Sequence, residues 1–183
     1  MTTIRALTEK EIIELRKKIV CTESINKYYY DNWDVFYKKL TCKDDLPDED
    51  WHPVTYYTRR KVEASNKGRI KLDGKVVEQK DYYEEKLGQN IVLNKMLLKG
   101  DSTKNKVGYL KVKGLGKLVY QMVANAWLGY EPDAGFIVHH LTNDGYDNRP
   151  KNLIIVSKED HHNIHHKNGR YYRGNKKDDY KPL

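Results

Sequence analysis

The chain has 183 residues, of which 38% are hydrophobic, and carries 34 Lys and Arg against 26 Asp and Glu, a formal net charge of +8. This length is enough to bury a hydrophobic core, and because no run of about 18 apolar residues occurs we expect no membrane span. The N-terminus, Met1–Arg5, has no apolar h-region, so we expect no signal peptide and a cytoplasmic location. The two cysteines, Cys21 and Cys42, are too few for a disulfide scaffold or a cysteine-ligated zinc ribbon.

The charge is unevenly distributed along the chain. Residues 1–50 carry nine basic and eleven acidic side chains, whereas residues 51–183 carry 25 basic and 15 acidic ones. A basic body behind a mildly acidic lead segment indicates a polyanionic partner for the body. A lysine-rich solvated surface is the alternative, and charge alone leaves both interpretations open.

The N-terminal segment has the pattern of two helices. Thr8–Glu11 is a capping box, and apolar residues at helical spacing follow it, which predicts a helix over about 9–21. The aromatic-rich stretch Ile25–Leu40 predicts a second helix. The acidic run over 44–50 contains a proline and is the best candidate for a linker.

After this linker the pattern changes to short strands. Residues 69–77 predict a β-hairpin, because Asp73-Gly74 supplies the positive φ angles of a type I′ turn. A second hairpin is expected from Val107–Val112 and the turn over 114–116. Residues 118–128 then predict a helix that ends at Gly129.

Positive charge marks the second hairpin and the C-terminal tail. Alternation brings Lys111, Lys113 and Lys117 together, which suits a phosphate backbone and equally suits a solvated strand face. Residues 167–183 contain six basic and two acidic side chains with three interleaved tyrosines. We expect this tail to be a flexible arm that lies along nucleic acid, with a merely disordered terminus as the alternative.

Histidines are concentrated in a single stretch near the C-terminus. The apolar run 136–138 predicts a strand, 142–152 has the chemistry of a loop, 153–156 predicts a second strand, and Ser157 is a natural N-cap for a helix. The predicted order is therefore strand, loop, strand, helix. Six of the seven histidines lie within or beside these elements: His139, His140, His161, His162, His165 and His166.

The spacing of these histidines suits a metal site. His161 and His165 are four residues apart, so they lie on one face of the predicted helix. Two such imidazoles bind one divalent ion, and His139 on the strand is available as a third ligand. His162 and His166 form an equivalent pair on another face, and spacing alone does not choose between the two pairs.

The same residues resemble a known family. Val138-His139-His140, the stretch Asp147–Leu153 and the pair His161 and His165 are similar to the HNH (ββα-metal) endonuclease motif. Asn152 lies twelve residues after His140 and nine residues before His161, as that motif requires. This register selects His161 and His165 over the second pair.

The resemblance extends upstream and has departures. Val62–Ile70 is similar to a segment that precedes HNH modules in phage and intron homing endonucleases, and Tyr109–Gly129 is similar to their linking segment. Histidines at 139 and 161 look more like the all-histidine metal site of bacterial toxin nucleases, which leaves the preferred metal open.

The resemblance also implies roles for individual residues. His140 would be the general base, and Asn152 would tie the loop so that His140 is oriented. One divalent ion, Mg²⁺ or Mn²⁺ with Zn²⁺ or Ni²⁺ as alternatives, would be held by His139, His161 and His165. Candidate DNA contacts are Arg149, Lys151, Lys158, Lys111 and Lys113.

The sequence therefore predicts an α+β fold and a nuclease. Four regions are expected: N-terminal helices over 1–50, a small β-rich region with a linking helix over 51–130, a ββα-metal (HNH) module over 131–167 and a basic tail over 168–183. The expected activity is metal-dependent hydrolysis of double-stranded DNA by a monomeric enzyme of the homing or phage type, acting in a bacterial host cell if phage-encoded. A non-catalytic DNA-binding module with structural zinc, and a nuclease toxin or restriction enzyme, are the alternatives.

Overall fold

The computed structural model describes residues 4–56, 59–81, 108–112 and 115–182. Within these ranges the fold is mixed α+β, as expected, with five α-helices and ten short strands in small antiparallel sheets. None of the helices in the described ranges is long and apolar enough to cross a bilayer.

Three helices form the N-terminal segment: α1 (Glu9–Lys18), α2 (Thr22–Asp31) and α3 (Trp33–Thr41). The predicted capping box is present, since Thr8 accepts from the backbone N–H of Glu11 and the Glu11 carboxylate accepts from that of Thr8. The stretch expected to form one helix over 25–40 is instead split at Asn32, whose φ of −114° and ψ of 23° are not helical.

A four-stranded sheet follows, in the spatial order β1 (Trp51–Pro53), β2 (Val62–Ser65), β3 (Ile70–Leu72) and β4 (Lys75–Val76). The predicted hairpin between β3 and β4 is confirmed. Asp73 and Gly74 have φ of 48° and 82°, as a type I′ turn requires.

The second expected hairpin is present in short form. The backbone N–H of Val112 donates to the carbonyl of Lys117 at 2.9 Å, and Lys111 forms an antiparallel bridge with Leu118. On its other side the strand β6 (Leu110–Val112) pairs with β5 (Gln79–Asp81), a partner that the sequence did not predict. Lys113 and Gly114 lie outside the described residues. Helix α4 (Val119–Leu128) ends at Gly129 with φ of 73°, as predicted.

The histidine-rich stretch forms the predicted strand, loop, strand and helix. β7 (Phe136–His140) pairs with β8 (Leu153–Ser157), and the loop between them ends in the 3₁₀ turn Pro150–Asn152. Helix α5 (Lys158–His165) begins at Ser157, whose hydroxyl accepts from the backbone N–H of Asp160 at 3.0 Å.

The C-terminal tail packs on the body, so the interpretation as a flexible arm is wrong. It starts with the hairpin β9 (His166–Lys167) and β10 (Arg170–Tyr171). The backbone N–H of Asn175 then donates to the carbonyl of Ile19 at 2.9 Å. The tail is anchored because its backbone hydrogen bonds are made with the N-terminal segment, a long-range pairing that local composition does not encode.

A buried carboxylate joins three distant parts of the chain. Asp144, in the loop after β7, accepts hydrogen bonds from the hydroxyls of Tyr29 on α2 at 2.6 Å and Tyr180 in the tail at 2.7 Å. Its other oxygen accepts from the backbone N–H of Tyr146 at 3.0 Å. Burial is the main cause that raises the pKa of Asp144 to about 6.

This raised pKa makes folding stability pH-dependent. Because the folded-state pKa of Asp144 lies above its unfolded value of 3.8, its contribution to stability is full below the unfolded pKa and is lost as pH rises through about 6, by about 3 kcal/mol at most. We expect the difference in unfolding free energy between wild type and Asp144→Asn to shrink over this window, measured by urea denaturation at a series of pH values. A difference that does not change with pH would contradict the assignment.

Candidate metal centre and active site

Three imidazoles converge between β7 and α5. His139 comes from the strand, and His161 and His165 come from successive turns of the helix. The His139 ring centroid lies 5.5 Å from that of His161 and 5.0 Å from that of His165, and the two helix rings are 4.6 Å apart. One nitrogen from each ring lies within 4.8 Å of the others, which is close enough to hold one ion.

The chemistry of this donor set suits a metal ion. Burial is the main cause of lowered pKa values at all three rings. It lowers the pKa of His139 well below its ordinary value, lowers the pKa of His161, and lowers the pKa of His165 to about 4. The rings are therefore neutral near pH 7 and can donate a nitrogen lone pair to a metal ion. The buried Nε2 of His139 and Nδ1 of His165 have no hydrogen-bond partner. In the described ranges, no other group of three or more His, Cys, Asp or Glu side chains offers such a cluster.

The N-terminal segment holds the helix that carries two of these rings. The Arg16 guanidinium on α1 donates to the carbonyls of Asn163 at 2.7 Å and His166 at 2.9 Å, at the C-terminal end of α5. At the other end, the backbone N–H of Leu7 donates to the Asp160 carboxylate at 3.2 Å. These contacts satisfy carbonyls and place positive charge where the helix dipole favours it.

His140 lies outside the three-ring cluster, because successive strand residues point to opposite faces. Its ring is 5% exposed and lies 5.0 Å from the ring of Tyr120 and 5.7 Å from that of Tyr109. Burial lowers the pKa of His140 to about 4. Its Nε2 lies 2.9 Å from the side-chain oxygen of Asn148, so this nitrogen donates and Nδ1 is left as the acceptor.

Sequence reasoning missed Asn148 and assigned orientation of His140 to Asn152. Asn152 is fully buried, accepts from the backbone N–H and hydroxyl of Thr142, and donates to the carbonyl of Asp147 at 3.0 Å. It therefore ties the two ends of the loop, whereas Asn148 contacts His140 directly. The adjacent turn residues Arg149 and Pro150 gave no signal for this contact, since it depends on how the loop folds back.

A glycine from the middle region abuts the same loop. Gly68 has φ of 78°, and a Cβ built there would lie 3.0 Å from the backbone carbonyl carbon of Asn148. The buried side chain of Gln79 donates to the Gly68 carbonyl at 3.1 Å and fixes this turn. The position of Asn148 is therefore supported from outside the ββα unit.

The residues expected to contact DNA differ in their surroundings. Lys151 and Lys158 are exposed, whereas Lys111 is half-buried and Lys113 lies outside the described residues. The Arg149 guanidinium makes two hydrogen bonds of 2.7 Å to the Asp147 carboxylate, so it is already engaged.

The second histidine pair points away from the cluster. The rings of His162 and His166 stack with centroids 4.0 Å apart, and the Nδ1 of His166 donates to the carbonyl of His162 at 3.0 Å. The structure thus brings His161 and His165, rather than this pair, to His139.

Comparison with known families agrees with this geometry. Residues 117–163 match the model of the HNH endonuclease family. This part of the chain is an HNH endonuclease domain. The match covers α4, β7, β8 and most of α5, and it indicates nuclease activity on DNA. HNH domains use a divalent metal, and the histidine cluster has the geometry to hold one. No curated protein and no solved structure matches the chain significantly.

We expect the HNH domain to gain stability from a divalent ion, because an ion that binds only the folded state raises the melting temperature. At about 100 times its Kd, the ion is expected to raise Tm by about 5–10 °C. The shift should be small in His139→Ala and His165→Ala and retained in His162→Ala, measured by thermal denaturation with Mg²⁺, Mn²⁺, Ni²⁺ and Zn²⁺. Full shifts in the first two variants would exclude these ligands.

Proposed function

We propose that this chain is a metal-dependent endonuclease that hydrolyses phosphodiester bonds in double-stranded DNA. The observation that carries the proposal is the three-imidazole cluster with a fourth buried imidazole, His140, beside it on the strand and held by an amide. Three protein ligands leave coordination positions open for catalysis, whereas a structural zinc site is closed by four. The geometry therefore favours an enzyme over a non-catalytic zinc module.

His140 is the proposed general base. Its lowered pKa keeps the imidazole neutral near pH 7, and donation from Nε2 to Asn148 aims the unprotonated Nδ1 as proton acceptor for an attacking water. Burial also weakens this base. The negative charge of a bound DNA phosphate favours the imidazolium, so proton transfer is promoted when substrate is in place.

In the proposed reaction, water attacks phosphorus in line with the departing 3′ oxygen and gives a proton to Nδ1 of His140. The P–O3′ bond breaks and the leaving oxygen takes a proton from solvent, so the products are a 5′-phosphate and a 3′-hydroxyl. A divalent ion held by His139, His161 and His165 would supply charge stabilisation to the phosphoryl and leaving oxygens. A cluster of imidazoles without a carboxylate suits Zn²⁺ or Ni²⁺ better than Mg²⁺ or Mn²⁺.

The homing or phage type and a monomeric state are part of the proposal. For the homing type, the supporting observation is the turn that contains Gly68, which lies in the segment resembling homing endonucleases and abuts the backbone of Asn148. This contact makes the middle region a support for the nuclease loop and not an independent appendage.

We expect the purified chain to convert supercoiled plasmid to open-circle or linear DNA with a divalent ion, and not with EDTA. His140→Ala should lower this cleavage by about 10²-fold or more, since the proton acceptor is lost. The measurement is a plasmid relaxation assay with Mg²⁺, Mn²⁺, Ni²⁺ and Zn²⁺, followed by end-labelling of the products.

His140→Ala should also keep the metal-induced Tm shift, which separates loss of the base from loss of the ion. Wild-type cleavage by this variant would show that the base is wrongly assigned. If wild type failed to cleave plasmid or candidate target DNA with any ion, while binding zinc and DNA tightly, the structural-zinc module would be the better interpretation.

The amide that holds His140 generates a separate prediction. Asn148→Leu should lower kcat by about 10–100-fold with unchanged DNA affinity, because the ring loses its acceptor. Asn148→Asp preserves an acceptor and should restore part of the rate. Equal rates for the two variants in single-turnover cleavage would show that the hydrogen bond has no part in orienting His140.

A further inference from the structure

The hairpin after α5 is a surface that the proposed chemistry does not use. Strand β9 begins directly after the helix, and the turn Asn168-Gly169 has φ of 52° and 72°, which suits a type I′ turn. The register places Lys167 opposite Arg170 and His166 opposite Tyr171. Two cations are therefore held side by side, close to the end of the helix that carries the metal ligands.

This arrangement of charge is unfavourable for the isolated protein. Like charges directly opposite each other on antiparallel strands destabilise the pair. Lys167 and Arg170 are both exposed, and no carboxylate among the described residues lies within ion-pair distance of either. From Lys167 to Lys177 the sequence contains five basic residues and no acidic one. Such a surface suits a polyanion.

An exposed aromatic side chain connects these cations to the metal centre. The Tyr171 ring is parallel to the ring of His165 within 2°, with centroids 5.9 Å apart, and Tyr171 is 59% exposed. Phosphate-binding cations beside an exposed aromatic ring are the combination that nucleic-acid surfaces use. A shallow groove of about 440 Å³ runs along this side of the hairpin, lined by Lys167, Asn168, Arg170, Tyr171 and Tyr172.

The hairpin is also held in place before any partner arrives. The backbone N–H of Tyr172 donates to the carbonyl of His165 at 2.7 Å, and the Tyr172 hydroxyl donates to the Asn175 side chain at 2.8 Å. Asn175 in turn donates to the carbonyl of Ile19. Because these anchors fix the hairpin on the body, little conformational entropy is lost when its side chains bind a ligand.

We propose that hairpin 166–171 is a DNA-binding surface adjoining the metal centre. Lys167 and Arg170 bind backbone phosphates near the scissile bond, and Tyr171 packs against a neighbouring sugar. This inference rests on the proposed function, because the DNA bound here is the substrate of the histidine cluster. It replaces the flexible arm expected from the sequence with a pre-formed contact, and it lies beyond the family match, which ends at residue 163.

The test compares two double variants of the full chain. Lys167→Gln with Arg170→Gln removes the paired cations, and Lys10→Gln with Lys38→Gln removes two exposed cations from α1 and α3 as a matched control. Binding to a fluorescent duplex is measured by anisotropy at several KCl concentrations. All proteins carry His140→Ala, Zn²⁺ is present, and a denaturing gel verifies that the duplex is intact.

The parent protein in this test is the His140→Ala variant. The hairpin variant is expected to bind the duplex about tenfold more weakly than this parent. The slope of log Kd plotted against log[KCl] should be lower by about two, since two phosphate contacts are lost. The control variant should keep both values. Removing the like-charge pair should leave the melting temperature unchanged or raise it, so weaker binding does not follow from misfolding.

A third variant separates the aromatic contact from the charges. Tyr171→Ala should weaken binding by about fivefold without changing the salt slope, because the packing of a ring against a sugar buries apolar surface and releases no counterions. Tyr171→Phe should bind like the His140→Ala parent. Parental affinity in Tyr171→Ala would remove this residue from the proposed surface.

Plasmid cleavage by wild type, measured in parallel, distinguishes the two proposals. If wild type cleaves while the hairpin variant binds with the parental Kd and slope, the hairpin proposal is overturned and the nuclease stands. If wild type never cleaves but binds DNA through the hairpin, the nuclease is overturned and the surface stands. If neither the parent nor wild type binds duplex, both proposals fall.

Discussion

The arrangement of the nuclease loop, residues 141–152 between β7 and β8, depends on the hydrogen bonds that the buried Asp144 carboxylate accepts. This carboxylate is fully buried and accepts from two tyrosine hydroxyls that lie 115 and 36 residues away along the chain. A carboxylate is costly to bury without donors, so the loop is stable in this position only while α2 and the tail are docked on it. The residues that tie the loop and hold His140 all follow Asp144 within eight positions.

The metal centre differs from Asp144, whose carboxylate oxygens both accept hydrogen bonds, because two of its buried nitrogens make no hydrogen bond to the protein. The buried Nε2 of His139 and Nδ1 of His165 pair with no protein group, as expected of atoms that coordinate an ion. The same burial lowers the pKa of these rings and keeps them neutral, which is the state that coordinates an ion. Burial therefore keeps these rings neutral and leaves two of their nitrogens available to coordinate an ion.

Local chemistry explains what was predictable from the sequence. The capping box at Thr8, the Asp73-Gly74 turn and the N-cap at Ser157 depend on residues a few positions apart, and the structure has all three. The i, i+4 spacing of His161 and His165 likewise follows from helix geometry, and the resemblance chose this pair over its neighbour.

The features that were missed depend on contacts between distant residues. Asp31-Asn32 is only a weak signal for the break between α2 and α3, because Asp and Asn favour helix ends but also occur inside helices. The composition of the tail gives no sign of the backbone pairing of Asn175 with Ile19. Asn148 reaches His140 only because the loop folds back, and the glycine at position 68 is required by a backbone 80 residues further along the chain. Neither the hydrophobic pattern nor the secondary-structure propensity of a sequence reports contacts between residues so far apart.

One consequence follows from the Arg16 side chain, which donates to carbonyls at the end of the helix that bears His161 and His165. Docking of α1 and capture of the ion both act on the position of that single helix. Thermodynamic linkage makes this coupling reciprocal. If the docking of α1 strengthens ion binding by a given free energy, ion binding strengthens the docking of α1 by the same free energy. We therefore expect ion binding to slow hydrogen exchange at the amides of α1, although α1 supplies none of the three imidazoles.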